Sequence, residues 1–205
     1  MLDIHTFANL TRNPSISEIS LKLLQDYYEY YLLHHTYEYH LQDGNIVSWQ
    51  FLEKDFCHLL GIKKIIEKAL HPSQHHNYYG TKGYQNVKNG KIDFKHLKKT
   101  GGNTRFKSSK DKIVFFFLLH RIVEAPHSNI FVDYIGKPGT RVNVKFLVYD
   151  LCESGVGHLG ISIDKKTGLY FPQFYMTERI NETSNGLSLI EGRKTIGVKK
   201  VIIKK

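Results

Sequence analysis

Cysteine is nearly absent: Cys57 and Cys152 are the two in 205 residues. They stand far apart and without the spacing of a zinc site, which fits a reduced, intracellular chain better than a disulfide scaffold. Long apolar runs are missing as well. No stretch approaches the roughly 18 apolar residues of a membrane span, so no membrane partner is expected. The start, Met1-Leu2-Asp3-Ile4-His5, has neither the basic opening nor the apolar run of a signal peptide, and a cytoplasmic location is expected. The glycines match no Walker loop or dinucleotide fingerprint, so no cofactor is expected. His71, His75 and His76 have no Cys, Asp or Glu at a fixed ligand spacing beside them, and no metal is assigned. No repeat and no low-complexity linker breaks the chain. What is present is 41% hydrophobic residues and a mean hydropathy of −0.35, an ordinary balance with enough apolar material for one folded domain over 1–205.

The net charge of +10 is unevenly placed. Residues 1–79 carry 6 basic and 9 acidic residues, whereas 80–112 carry 10 basic and 2 acidic. Residues 113–192 are near neutral, with 7 basic and 8 acidic, and the last 13 residues hold 6 basic and none acidic. A positive field confined to one internal segment and the C-terminal end is the footprint of a polyanion partner, and RNA is expected. The candidate contacts are Lys91, Lys95, Lys98, Lys99, Arg105, Lys107, Lys110, Lys112 and Arg141.

The pattern of apolar residues predicts helices first and strands later, an α+β arrangement. Residues 1–36 are read as a helical part. Ser15 or Ser17, with Glu18 in the first turn, caps a helix over 15–35, along which Ile16, Ile19, Leu23, Leu24 and Tyr27 share a face. Residues 37–126 hold a hairpin plus helices. The strands 37–41 and 46–51 flank Gln42-Asp43-Gly44-Asn45, a hairpin signal because glycine accepts positive φ. Short helices follow over 53–60, closed by Gly61, and over 63–70, closed before Pro72. Residues 71–112 read as turn-rich, with 92–99 as a possible helix. A buried helix over 110–125 ends at Pro126. Residues 127–205 then give strands over 129–135, 143–151, 156–163, 169–176 and 195–203, joined by short turns into an antiparallel meander packed with the helices.

Strand alternation sorts these residues by face. Leu159, Ile161 and Ile163 take the core side, and His158, Gly160 and Ser162 the other. Antiparallel pairing brings Lys145 or Tyr149 onto the His158 face, while the register decides whether Tyr170 or Phe171 joins it. Histidine can give or take a proton near neutral pH. Two of them, in Phe56-Cys57-His58-Leu59-Leu60-Gly61 and Gly157-His158-Leu159-Gly160, form a candidate acid–base pair, provided that one cleft holds both.

These motifs, in this order and followed by Tyr170-Phe171-Pro172-Gln173-Phe174-Tyr175, resemble the phage-associated nuclease-like domains of the barnase–EndoU–colicin–RelE superfamily. The resemblance runs from about residue 20 to the C-terminus. It implies helices packed on an antiparallel sheet and RNA cleavage without metal, or a toxin or effector role in phage–host or mobile-element conflict. His58, His158 and Tyr170 match the motif residues. Lys145 follows from strand alternation. In the implied reaction one histidine removes the ribose 2′-OH proton, the other protonates the leaving 5′-oxygen, and Lys145, with help from Lys112 or Arg141, neutralises the pentacoordinate phosphorus. The rival expectation is a non-enzymatic phage inhibitor of a host defence system, with a protein target or antitoxin as partner, built on the same scaffold.

Overall fold

The structure is a computed structural model that describes residues 1–124, the backbone of 130–133 and residues 144–205. Its first element is a short helix, α1 (Ile4–Ala8), capped by Asp3, whose carboxylate accepts from His5 N and Thr6 N at 2.9 Å. The next helix, α2 (Leu21–Tyr31), starts later than expected. Ser20 is its cap, accepting from Leu23 N at 3.0 Å, while Ser15 and Glu18 close a separate turn through Ser15 N and the Glu18 carboxylate at 2.7 Å. That turn uses up the acidic residue expected to open the helix.

Two compact units emerge, and the chain passes between them three times, so neither is one contiguous stretch. The first comprises 1–33 and 52–117 and is helical. Beyond α1 and α2 it contains α3 (Glu53–Leu59), α4 (Ile62–Ile66), a 3-10 turn over Pro72–Asn77, α5 (Gly80–Lys88), α6 (Phe94–Gly101) and α7 (Asn103–Val114). Residues 71–112 are thus mostly helix rather than turns. Gly80, Gly90 and Gly102 keep the positive φ of turn residues, whereas Gly83 and Gly101 let helices approach closely. A Cβ on Gly83 would stand 2.6 Å from the Tyr78 carbonyl carbon and 3.0 Å from Cys57 Sγ, and one on Gly101 would stand 2.4 Å from Ile65 O. The centre of this unit is aromatic: Phe56 meets Tyr28, Tyr84 and Phe116 at ring-centroid distances of 5.2, 5.7 and 6.0 Å. Buried tyrosine hydroxyls find backbone partners, as burial requires. Tyr27 donates to Phe117 O at 3.0 Å and Tyr28 to Leu52 O at 2.8 Å.

The second unit comprises 34–51 and 118–205. The helix expected over 110–125 breaks at Phe115–Phe117, and α8 (Leu118–Glu124) belongs to this unit. With it are β1 (Thr36–Leu41), β2 (Ile46–Gln50), β3 (Ile130–Asp133), β4 (Phe146–Cys152), β5 (Gly155–Ile163), β6 (Tyr170–Arg179) and β7 (Thr195–Lys204). They form one sheet in the order β2-β1-β7-β3-β4-β5-β6 with antiparallel ladders. The α+β class and the strands hold. Only β3 to β6 make the expected meander, because β7 returns across the sheet to join β3 to the N-terminal hairpin. One face of the sheet carries α8. Tyr39 donates to Val123 O, Arg121 pairs with Asp150 at 2.8 Å, and a Cβ on Gly157 would come within 3.2 Å of Ile122 Cδ1. Among the described residues no helix is long and apolar enough to cross a membrane.

Replacing Gly101 by alanine should therefore overpack the α4–α6 contact. The expected loss is about 1–3 kcal/mol of unfolding free energy in a urea titration, because Ile65 backbone cannot yield as a flexible side chain would.

Candidate functional site

In the first unit the motif around residue 58 folds as α3 and the turn after it. Phe56, Cys57, Leu59 and Leu60 are fully buried, and His58 is exposed. Burial pushes the Cys57 thiol up to about 12, so it is no thiolate nucleophile at neutral pH. Asp55 begins the helix by accepting from Leu52 N at 3.0 Å, one turn before His58. Burial lifts its carboxyl above the usual range, against the opposing pull of that bond and of the Lys54 and His58 charges. Gly61 ends the motif at φ 72°, its N–H donating to His58 O at 2.9 Å. Across this turn lies α7: a Cβ on Gly61 would stand 3.5 Å from Lys112 Cδ and 3.8 Å from Ser109 Oγ.

The helices α6 and α7 carry most of the expected RNA contacts. They pack through Phe94 and Phe106, whose centroids are 5.5 Å apart, and Lys98 Nζ lies 4.9 Å from the Phe106 centroid, a cation–π contact. Lys95 and Lys99 on α6, Lys107 on α7 and Lys91 just before α6 are exposed; Arg105, Lys110 and Lys112 are half-buried. Elsewhere lysines find carboxylates, as in Lys88–Glu29 at 2.8 Å and Lys22–Asp26. Among the described residues these cations on α6 and α7 form no salt bridge. Arg141 lies outside the described residues. The histidines of the 3-10 turn are engaged locally: His71 Nδ1 with Ser73 Oγ at 2.8 Å, His75 Nε2 with Leu70 O at 3.1 Å, and His76 Nδ1 with Ser73 O at 2.6 Å.

In the second unit His158 sits on β5 opposite Tyr149 of β4 and Met176 of β6. The register that sequence left open puts Phe174, Met176 and Glu178 on the His158 face. That face is covered rather than solvated. His158 is 0% exposed, and its Nε2 contacts Gly186 O at 3.0 Å and Glu178 Oε1 at 3.4 Å. The Glu178 carboxylate also accepts from Ser188 N at 3.2 Å and Leu189 N at 3.3 Å, so the two side chains pin the 186–189 segment over the strand. With Nε2–H donating to Gly186 O, Nδ1 carries a buried lone pair that meets no partner among the described residues. Desolvation lowers the His158 pKa from its ordinary value, outweighing the raising effect of Glu178 and of the Gly186 carbonyl. The flanking glycines have packing reasons, since a Cβ on Gly160 would come 2.3 Å from the Phe174 ring.

Lys145 and Tyr170 each lie near the Phe146 ring, and Tyr170 is far from His158. Lys145 N donates to Ile161 O at 2.9 Å, and its Nζ stands 5.5 Å from the Phe146 centroid; the Tyr170 ring lies 5.9 Å from that same Phe146. Tyr170 pairs with Ile163, five positions along β5 from His158, a separation of about 17 Å at strand rise. It shares the α8-side face with Phe146 and Ile161, opposite to that of His158. Sequence reasoning passed over Asp55 and Glu178. Asp55 was within reach, being one helical turn from His58, whereas Glu178 needed the register.

The model of one protein family, phage-Barnase-EndoU-ColicinE5/D-RelE like nuclease4 (PBECR4), matches residues 21–203 of the chain. No curated protein matches it, and no solved structure does. The buried imidazole also makes a prediction of its own. Because folding lowers the His158 pKa, the unfolded chain binds the extra proton first, so stability present above pH 6.5 is lost as pH falls below it. Urea titrations at pH 7.5 and 5.5 should show His158→Gln losing less stability over this range than wild type, by up to about 1.4 kcal/mol.

Proposed function

The chain belongs to this family of phage nuclease-like proteins, and we propose that it is a metal-independent endoribonuclease acting as a phage or mobile-element effector on RNA. One observation carries the reading. His58 is the exposed member of an otherwise buried motif, in the unit whose α6–α7 surface bears cations without carboxylate partners. A motif kept only for packing would have no need of a histidine on its wet side.

In this mechanism the phosphate backbone lies along α6 and α7, and the His58 imidazole takes the proton from a ribose 2′-OH. The 2′-oxygen bonds to phosphorus, the bond from phosphorus to the 5′-oxygen breaks, and that oxygen takes a proton from a water molecule. The products are a 2′,3′-cyclic phosphate and a 5′-hydroxyl end. Asp55 stands one turn before His58 on the same helix. His158 belongs to the other unit and is shielded there by the 186–189 segment. Lys145 and Tyr170, each near the Phe146 ring, suit a nucleotide contact rather than proton transfer.

Purified protein and its His58→Ala variant, incubated with total RNA in EDTA, should differ about 10²–10⁴-fold in cleavage, the usual worth of a general acid–base group. Cyclic-phosphate ends should appear in wild type alone. Tight RNA or protein binding without cleavage would instead favour the non-enzymatic inhibitor. Charge reversal at Lys95, Lys98 and Lys99 should weaken RNA binding and flatten its salt dependence by about 0.7–0.9 in log–log slope per lost phosphate contact. An unchanged slope would remove the α6–α7 surface from the interface.

A further inference from the structure

Lys112 is placed where a structural lysine has no reason to be. Its stem crosses the Gly61 turn, with Cδ 3.5 Å from where a Cβ of residue 61 would stand, so glycine is what leaves room for it. The side chain is half-buried, yet among the described residues it meets no carboxylate and makes no hydrogen bond. The charge that acts on it is that of Lys64, which has the same sign. Charges taken out of water are ordinarily paired, because losing hydration is costly unless an opposite charge replaces it. Lys64 N donates to Gly61 O at 3.1 Å, so two lysines flank one glycine turn, and among the described residues neither meets a carboxylate, which leaves a place that an anion would complete.

We infer that Lys112 and Lys64, at the Gly61 turn, form a binding site for one phosphate group. The turn also fixes the carbonyl of His58 through Gly61 N at 2.9 Å, so the site adjoins the exposed imidazole along the same short stretch of chain. The inference rests on the ribonuclease reading only for the identity of the phosphate as that of an RNA backbone; the anion site itself stands without it. Within that reading Lys112 touches the reacting phosphate and holds the extra negative charge of the pentacoordinate phosphorus. Burial, with Lys64 adding, brings its amine down to about 8, which leaves it charged at neutral pH and responsive to a bound anion.

The test is an NMR pH titration of the lysine ε-CH₂ groups in the full chain, with and without inorganic phosphate. Lys112 should titrate near pH 8, apart from the surface lysines. If phosphate prefers the charged amine tenfold, that midpoint rises by about one unit. Lys112→Met should lose about tenfold or more in phosphate affinity, whereas Lys82→Met, an exposed position on α5, should not. An unmoved Lys112 midpoint, or equal shifts at every lysine, overturns the site. If Lys112→Met misfolds, the wild-type titration still decides. RNA cleavage is read separately: phosphate binding without cleavage keeps the site and sinks the ribonuclease reading, and cleavage with an indifferent Lys112 does the reverse.

Discussion

Both units are built on the apolar run Ile113-Val114-Phe115-Phe116-Phe117-Leu118-Leu119, none of which exposes more than 1% of its surface. Water must be kept from seven consecutive side chains that point in every direction around a helix. One straight helix would need a partner on every side. The chain instead breaks the helix at Phe115–Phe117 and divides the burden. Phe116 goes to the tyrosine and phenylalanine cluster of the helical unit, and α8 carries Leu118 and Leu119 into the sheet unit. The division between the units falls at that break.

The same demand for burial explains the contrast between the two motif histidines. On α3 the helical period sets His58 outward while its neighbours turn in, so the imidazole stays available for chemistry. On β5 both faces are covered, one by α8 and one by the 186–189 segment, so His158 becomes part of the interior. Its polarity is not wasted there. It and Glu178 tie down backbone that would otherwise cross an apolar surface without partners.

Charge follows a different logic. The acidic residues of the helical unit are engaged locally: Glu29 holds Lys88, Glu18 holds Arg12, and Asp55 caps α3. That leaves the cations of α6 and α7 uncompensated, with their apolar faces turned inward at Leu97, Phe106 and Ile113. Packing and charge are thereby separated onto opposite sides of the same two helices.

Periodicity alone determined the strands and the α+β class, because alternation depends only on neighbours along the chain. It also identified the hairpin at Asp43-Gly44 and the face opposition of His158 and Leu159. It misread 71–112, since Gly83 and Gly101 look like turn residues until Tyr78 and Ile65 are seen pressing on them. It could not tell that β7 would return between β1 and β3, nor that Tyr170 would meet Phe146 on the face opposite His158. Those are matters of register and coverage, decided by which distant segments exclude water from which face. Lys112 shows the difference most plainly. In the sequence it is one of several basic residues that could meet RNA or help Lys145, and only the tertiary structure sets it across the Gly61 turn, half-buried and without a carboxylate among the described residues.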